Sequence, residues 1–483
     1  MPPKHYPKPL TPPKAKPSAN SKRKKKKEVP AEVQQAQLLD AIKSRRETDL
    51  AKVFEVHPTV SLATADADGW SPLHLAVRLG YLDVVCALIG HGASVDLPTA
   101  DGEGYTPLHL AARGDDATIV RALTWTYGAC PSAVTSCGAT PMHEAAAAGQ
   151  WGNLWALFTA GANANAVRPE TRETPLHDAA RWGHADACLT LVVRCDAEVD
   201  AIDAHGDTPL HHAVRWRGNV HVVRLLVDKC DADVAVANEN GKTALHVGAI
   251  YGRSNVCETL AILGAPFAAK DSQGYTAMHL AAREGHTHCV QVMYAQGAPV
   301  DVKCDQRNLD VAIPSERQPM RTPLMIAVMR GHAETAKELV LGGKADVNWY
   351  NASDGSALHI AASRGDTSII YDLVHICGAD VNQKTLSEGH TPLHRAVFGN
   401  HGDAVRLLLH HCNSDTTIIG EYEIVGISGR EFGFEVVGGF QIIGCVCMSM
   451  RRQWSAFDLT GCSNFRRFPV YSEYDVIVLS SMS

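Results

Sequence analysis

Nine histidines recur along the chain in one four-residue setting: His74, His109, His143, His177, His211, His246, His279, His359 and His394. Imidazoles at regular spacing could ligate a metal, move protons or serve as paired hydrogen-bond donors and acceptors. Metal binding needs several ligands converging on one point, and the cysteines offer no help. None of the 14 Cys forms a CxxC pair, and Cys445, Cys447 and Cys462 lie beyond the last histidine, His411. The spacing and partners of a zinc knuckle are therefore missing. The chain also carries no GxxxxGKS/T loop, no HExxH, no GxSxG and no kinase HRD or DFG set. The expectation is a protein that is not an enzyme, with no catalytic residue, no metal and no cofactor.

The histidines sit where they do because the whole setting repeats. SPLH (71–74), TPLH (106–109), TPMH (140–143), TPLH (174–177), TPLH (208–211), TALH (243–246), TAMH (276–279), TPLM (322–325), SALH (356–359) and TPLH (391–394) follow one another at 35, 34, 34, 34, 35, 33, 46, 34 and 35 residues. Each position has a physical task. Thr or Ser offers an oxygen to the free amides of a helix start, and Pro fits the first turn because its missing N–H costs nothing there. Leu and the alanines behind it, as in Leu108, Ala111 and Ala112, make a narrow face that lets neighbouring helices approach. Roughly two turns on, a glycine such as Gly80, Gly149, Gly183 or Gly252 suits the left-handed residue that ends a helix. A second helix follows with apolar residues three and four apart, for example Val222, Val223, Leu225 and Leu226, and closes at Gly-Ala pairs such as Gly92-Ala93 and Gly161-Ala162.

A helix pair of this size cannot bury its own apolar face, so neighbours must stack to create a core. The period near 33 with this tetrapeptide resembles the ankyrin-repeat family over about residues 35–415. The resemblance implies an all-α solenoid of about ten helix-turn-helix repeats whose concave face, formed by first helices and turns, binds a partner. It also explains the histidines as hydrogen-bond partners that stabilise turns.

Around the array the composition changes. Residues 1–30 hold ten Lys or Arg against one Glu, so the remainder carries a net −16 although the whole chain is at −7. This Pro- and Lys-rich arm lacks the apolar surface to offset ordering and is expected to be disordered. Its run Lys22, Arg23, Lys24, Lys25, Lys26, Lys27 resembles a nuclear-import signal, against the alternative of a solvated tail. Residues 31–66 read as a degenerate N-terminal capping unit of two short helices joined around Glu47–Asp49. Residues 67–415 are the array, with an insertion at about 302–320. Residues 416–483 hold six of the ten Phe and none of the 24 His. Alternating runs there leave three readings open: a small β appendage, an edge packed on the last repeat, or sequence without a stable fold.

An acidic body disfavours nucleic acid except through the arm and is more compatible with a basic partner surface. With no apolar leader and no apolar run near 20 residues, the cysteines are expected to be free thiols of an intracellular monomer, in the cytoplasm, the nucleus or both. The candidate binding site emerges from one column, the position before the glycine that closes each first helix. It reads Leu79, Gly114, Ala148, Trp182, Trp216, Tyr251, Glu284, Arg330, Arg364 and Gly399, with one added residue, Arg217, in repeat five. Trp182, Trp216 and Tyr251 on successive repeats, with Arg181 and Arg215 beside two of them, have the composition of a binding hot spot. The competing expectation is ordinary packing of the rings on neighbouring helices. The leading function is a protein-interaction scaffold or adaptor. The alternatives are a substrate receptor of a ubiquitin ligase, from a faint likeness at Leu459–Cys462, and a nuclear chromatin or RNA adaptor using the arm.

Overall fold

The computed structural model describes residues 30–414 apart from 46, 59, 67, 305–319, 387, 388 and 413. The basic arm with Lys22–Lys27, most of the insertion near 302–320 and the segment 416–483 lie outside the described residues. Two compact units divide the chain between Asn238 and Glu239.

The first unit opens with helices Ala31–Ser44 and Glu47–Val56. The join falls at Arg45, left-handed at φ 54°, and not around Glu47–Asp49 as the sequence led us to expect. Asp49 instead lies in the first turn of the second helix, where an acidic group favours the helix dipole. Five helix pairs follow, beginning with Pro72–Arg78 and Leu82–Gly90. In repeat two, Pro107–Arg113 precedes Ala117–Arg121, which runs on as the π-helical turn Ala122–Thr126. Repeats three to five comprise Pro141–Ala147 with Trp151–Thr159, Pro175–Trp182 with Ala185–Cys195, and Pro209–Trp216 with Val220–Cys230.

The second unit holds five more pairs. They are Ala244–Ile250 with Ser254–Ile262, Ala277–Glu284 with Thr287–Ala295, and Pro323–Arg330 with Ala333–Leu341. Ala357–Arg364 with Thr367–Tyr371 and a π-helical turn, then Pro392–Phe398 with Gly402–His410, complete it. Tyr350–Asn351 pairs antiparallel with Gly355–Ser356 in a turn. The fold is an all-α repeat solenoid.

The repeating histidine fastens each helix start to the next repeat. In repeat three the amide of Thr140 donates to His143 Nδ1 at 3.1 Å, and His143 Nε2 lies 3.0 Å from the carbonyl of Glu173, thirty residues on. Because Nδ1 accepts an amide proton, Nε2 must carry the ring proton and donate it onward. The same geometry links His74 to Tyr105, His109 to Ala139 and His177 to Asp207 in the first unit. In the second it links His246 to Tyr275, His279 to Arg321 and His359 to His390. Repeat eight has Met325 at this position, and a different link joins it to repeat nine. Arg321 donates to both carboxylate oxygens of Asp354, at 2.7 and 3.2 Å.

Leu108, Leu176, Leu245 and Leu358 are fully buried at the motif's apolar position. Burying each contributes roughly 1.5–3 kcal/mol. Behind them Ala111, Ala112, Ala145, Ala146, Ala179 and Ala180 keep the first helices close. In repeat ten, which ends the described chain, Leu393 and Leu407 are only half-buried. Leu393 holds the position that is fully buried inside the array.

A second set of histidines packs on four of the glycines that close first helices, Gly149, Gly252, Gly285 and Gly365. Gly149 has φ +74°, and a Cβ there would fall 2.5 Å from His184 Nδ1, whose Nε2 bonds the carbonyl of Ala147 at 3.1 Å. Gly92, at φ +96°, faces open space. Gly149→Ala is therefore expected to cost about 2–3 kcal/mol, strain plus a displaced inter-repeat bond, whereas Gly92→Ala costs about 1 kcal/mol of strain alone. Urea unfolding of the two variants distinguishes these costs, and equal losses would show that the histidine contact contributes nothing.

Candidate functional site

Repeats three, four and five carry polar side chains one residue after the motif histidine, where most other repeats are aliphatic and repeat ten has Arg395. That position is Leu75, Leu110, Val247, Leu280 or Ile360 in other repeats, and Glu144, Asp178 and His212 here. The side chains of Glu144, Asp178 and His212 are 12%, 2% and 2% exposed, so the stack has had to build a buried ionic network around them. Arg168, from the turn before repeat four, grips Asp178 with both arms, at 3.1 and 2.7 Å, and reaches Glu173 at 3.0 Å. Arg181 bonds the other oxygen of Glu173 and lies 3.3 Å from His212 Nδ1. His212 Nε2 donates to Asp203 at 2.9 Å, and Arg215 pairs with the fully buried Asp207 at 2.5 Å. Asn238 donates to the second oxygen of Asp207 at 2.7 Å.

Burial pushes the carboxyls of Asp178 and Glu144 above their usual range, with Arg168 and Arg113 respectively opposing the shift. Burial acts the same way on Asp203, but the bonds from His212 and from the amides of His205 and Asp207 outweigh it. They hold this carboxyl well below the usual range. His177, buried and edge-on to His212 at 5.0 Å, is lowered to about 4. Glu173, Asp203 and His212 bring potential metal-ligand atoms within 4.8 Å of one another. Arg168 and Arg181 both donate to Glu173, and Arg181 faces His212.

Above this floor stand the tryptophans singled out from the sequence. Trp182 is 46% and Trp216 56% exposed. The Arg181 guanidinium lies over the Trp216 ring at 5.4 Å, and the Arg217 guanidinium over the Trp182 ring at 5.4 Å. The two repeats are thus cross-stacked, each lending an arginine to the other's indole. Arg181 and Arg215 are half-buried members of the ionic network. Tyr251, 49% exposed, occupies the same column in the second unit. Reading the sequence by column found the indoles but passed over Glu144, Asp178 and His212. Polar residues on three consecutive repeats, at a register that is aliphatic in most of the others, were the available signal.

Stacked helix pairs interlocked by histidines define a helical repeat protein. The chain belongs to the ankyrin-repeat family: a pattern described as ankyrin repeats in three copies matches residues 38–135, 176–271, 218–304, 261–348 and 324–419. Among curated proteins it is similar to a putative glutaminase 2 of Caenorhabditis elegans, 32% identical over 108 residues. That match covers 22% of this chain and 17% of the relative, about the length of three repeats. Ankyrin repeats are in general modules of protein–protein interaction. Among the described residues no helix is long and apolar enough to cross a membrane.

Proposed function

We propose that this chain is a scaffold or adaptor that binds a protein partner across repeats four and five, with Trp182 and Trp216 as its anchors. The observation that carries the reading is the pair of half-exposed indoles on adjacent first helices, held by arginines of which one is rooted in a buried ionic network. Large aromatic area preorganised on rigid helices is what binding hot spots are made of, because little side-chain entropy is lost on association. Packing alone accounts poorly for rings that leave about half their surface in water. The short likeness to a glutaminase spans too little of that protein to bring its activity here. The residues behind the ubiquitin-ligase and chromatin or RNA alternatives lie outside the described part of the chain.

Trp182→Ala and Trp216→Ala are each expected to weaken partner binding by about 1–3 kcal/mol while changing stability little. Affinity capture with the full chain and the double variant, followed by titration of the captured partner, measures the first quantity, and urea unfolding the second. Large destabilisation with unchanged affinity would assign the indoles to packing. Tyr251→Ala, tested separately, reports whether its position in the column carries binding.

A further inference from the structure

Repeat five contains one residue more than its neighbours between motif and closing glycine, and the structure shows what that residue does. Its first helix ends at Trp216, Arg217 follows at φ −120°, and Gly218 turns the chain at φ 57°. Asn219 then restores the register. It caps the next helix through the amides of His221 and Val222 and donates to the carbonyl of Gly183 at 3.2 Å, the kind of link His184 supplies one repeat earlier. The insertion is absorbed as a one-residue bulge whose product is an exposed arginine. The Arg217 stem runs past Gly183, its Cδ 3.6 Å from where a Cβ would stand, and its guanidinium ends over Trp182.

Arg168, Arg181 and Arg215 are each committed to carboxylates. Arg217 makes no ion pair or side-chain hydrogen bond with any described residue. A guanidinium laid on an aromatic ring keeps its N–H groups in its own plane, a fork that matches a carboxylate. Stacking also restricts the side chain beforehand, so less freedom is lost when the fork is filled. A cationic partner group would meet a guanidinium over each indole.

We propose that Arg217 on Trp182 is a subsite for a carboxylate of an acidic peptide segment, with Trp216 receiving an apolar side chain next to it. This rests on the reading of the two tryptophans as a protein-binding face and names the class of segment that the face takes. The net −16 outside the first thirty residues bears on length. A polyanion crossing many repeats accumulates repulsion, whereas one or two carboxylates lie within a Debye length, about 10 Å at moderate salt, of the arginine that recognises them.

The test pans phage-displayed random dodecapeptides against the full chain, Arg217→Gln, Arg217→Glu, Arg217→Lys and Trp182→Ala/Trp216→Ala. Enriched peptides are then synthesised and titrated by fluorescence anisotropy. The wild-type chain is expected to select Asp or Glu adjacent to a large apolar residue. Affinity should fall about tenfold in Arg217→Gln, with a further loss in Arg217→Glu and partial recovery in Arg217→Lys. Urea midpoints near wild type for the Arg217 variants establish that folding is intact. Peptides without acidic residues, bound equally by Arg217→Glu yet lost in the double tryptophan variant, would overturn the carboxylate subsite and leave the tryptophan face standing. Peptides indifferent to both sets of changes, or no enrichment over blank beads, would overturn both. A single-stranded oligonucleotide that binds through Arg217 more tightly than any selected peptide would also overturn the assignment to an acidic protein segment.

Discussion

Lowering the pH from roughly 7 to roughly 5 is expected to remove much of the stability of the array, before most carboxylates take up protons. The cause is the row of interlocked histidines. Each must be neutral, since Nδ1 accepts an amide proton, and in repeats one to four, six, seven and nine Nε2 donates to the repeat that follows. Burial lowers His143 to about 3 and His109, His177, His279, His359 and His394 to about 4, from an ordinary value of 6.5. Between those limits the unfolded chain binds protons that the folded chain refuses. The stabilisation is therefore fully present above about 6.5 and is lost as pH falls toward about 4. A shift of this size corresponds to on the order of 3 kcal/mol per ring. The raised carboxyls of Asp178 and Glu144 act in the opposite sense and recover a part. Urea unfolding followed by circular dichroism across this range checks the expectation, and a midpoint that stays level down to roughly pH 5 would contradict it.

The second large effect lies in the ionic network. Arg168→Ala should destabilise the first unit by about 3–5 kcal/mol, because it strands the Asp178 carboxylate, 2% exposed, without its bidentate partner. Arg181 stands 4.0 Å away and compensates poorly. Removing both charges should cost much less, since most other repeats carry an aliphatic residue at the position of Asp178. The double variant Arg168→Met/Asp178→Leu is expected within about 1–2 kcal/mol of the wild-type chain, as buried pairs replaced by apolar groups commonly are. Single and double variants form a thermodynamic cycle in urea. Additive losses would show that the two groups are not coupled, which the bidentate geometry forbids. The same cycle, read on partner binding, reports whether the network positions Arg181 under Trp216 or serves stability alone.

These expectations draw on the sequence unevenly. The cap chemistry of Thr140, Pro141 and His143 is local, which is why helix starts were legible to the residue. The same locality placed Trp182, Trp216 and Tyr251 in one column, since register within a repeat fixes which face of a short helix a residue occupies. The join at Arg45 was misplaced because two short helices in succession have nearly the same periodicity as one. The π-helical turn at Ala122–Thr126 leaves no separate signature in composition. Arg217 was visible only as an extra letter in the spacing, with no indication that the bulge would lay it over Trp182.

What the sequence determined by itself was the unit: its length, its two helices, its caps and the apolar faces that oblige it to stack. Those follow from interactions within a few residues, repeated until chance is excluded. What the tertiary structure decided was which polar groups meet. Arg181 lies eight residues from Glu173 but thirty-one from His212, and Asp207 is thirty-one from Asn238. Such pairs form only when one repeat is laid on the next, because burial by the neighbour turns a charge that water would screen into one that must find its partner.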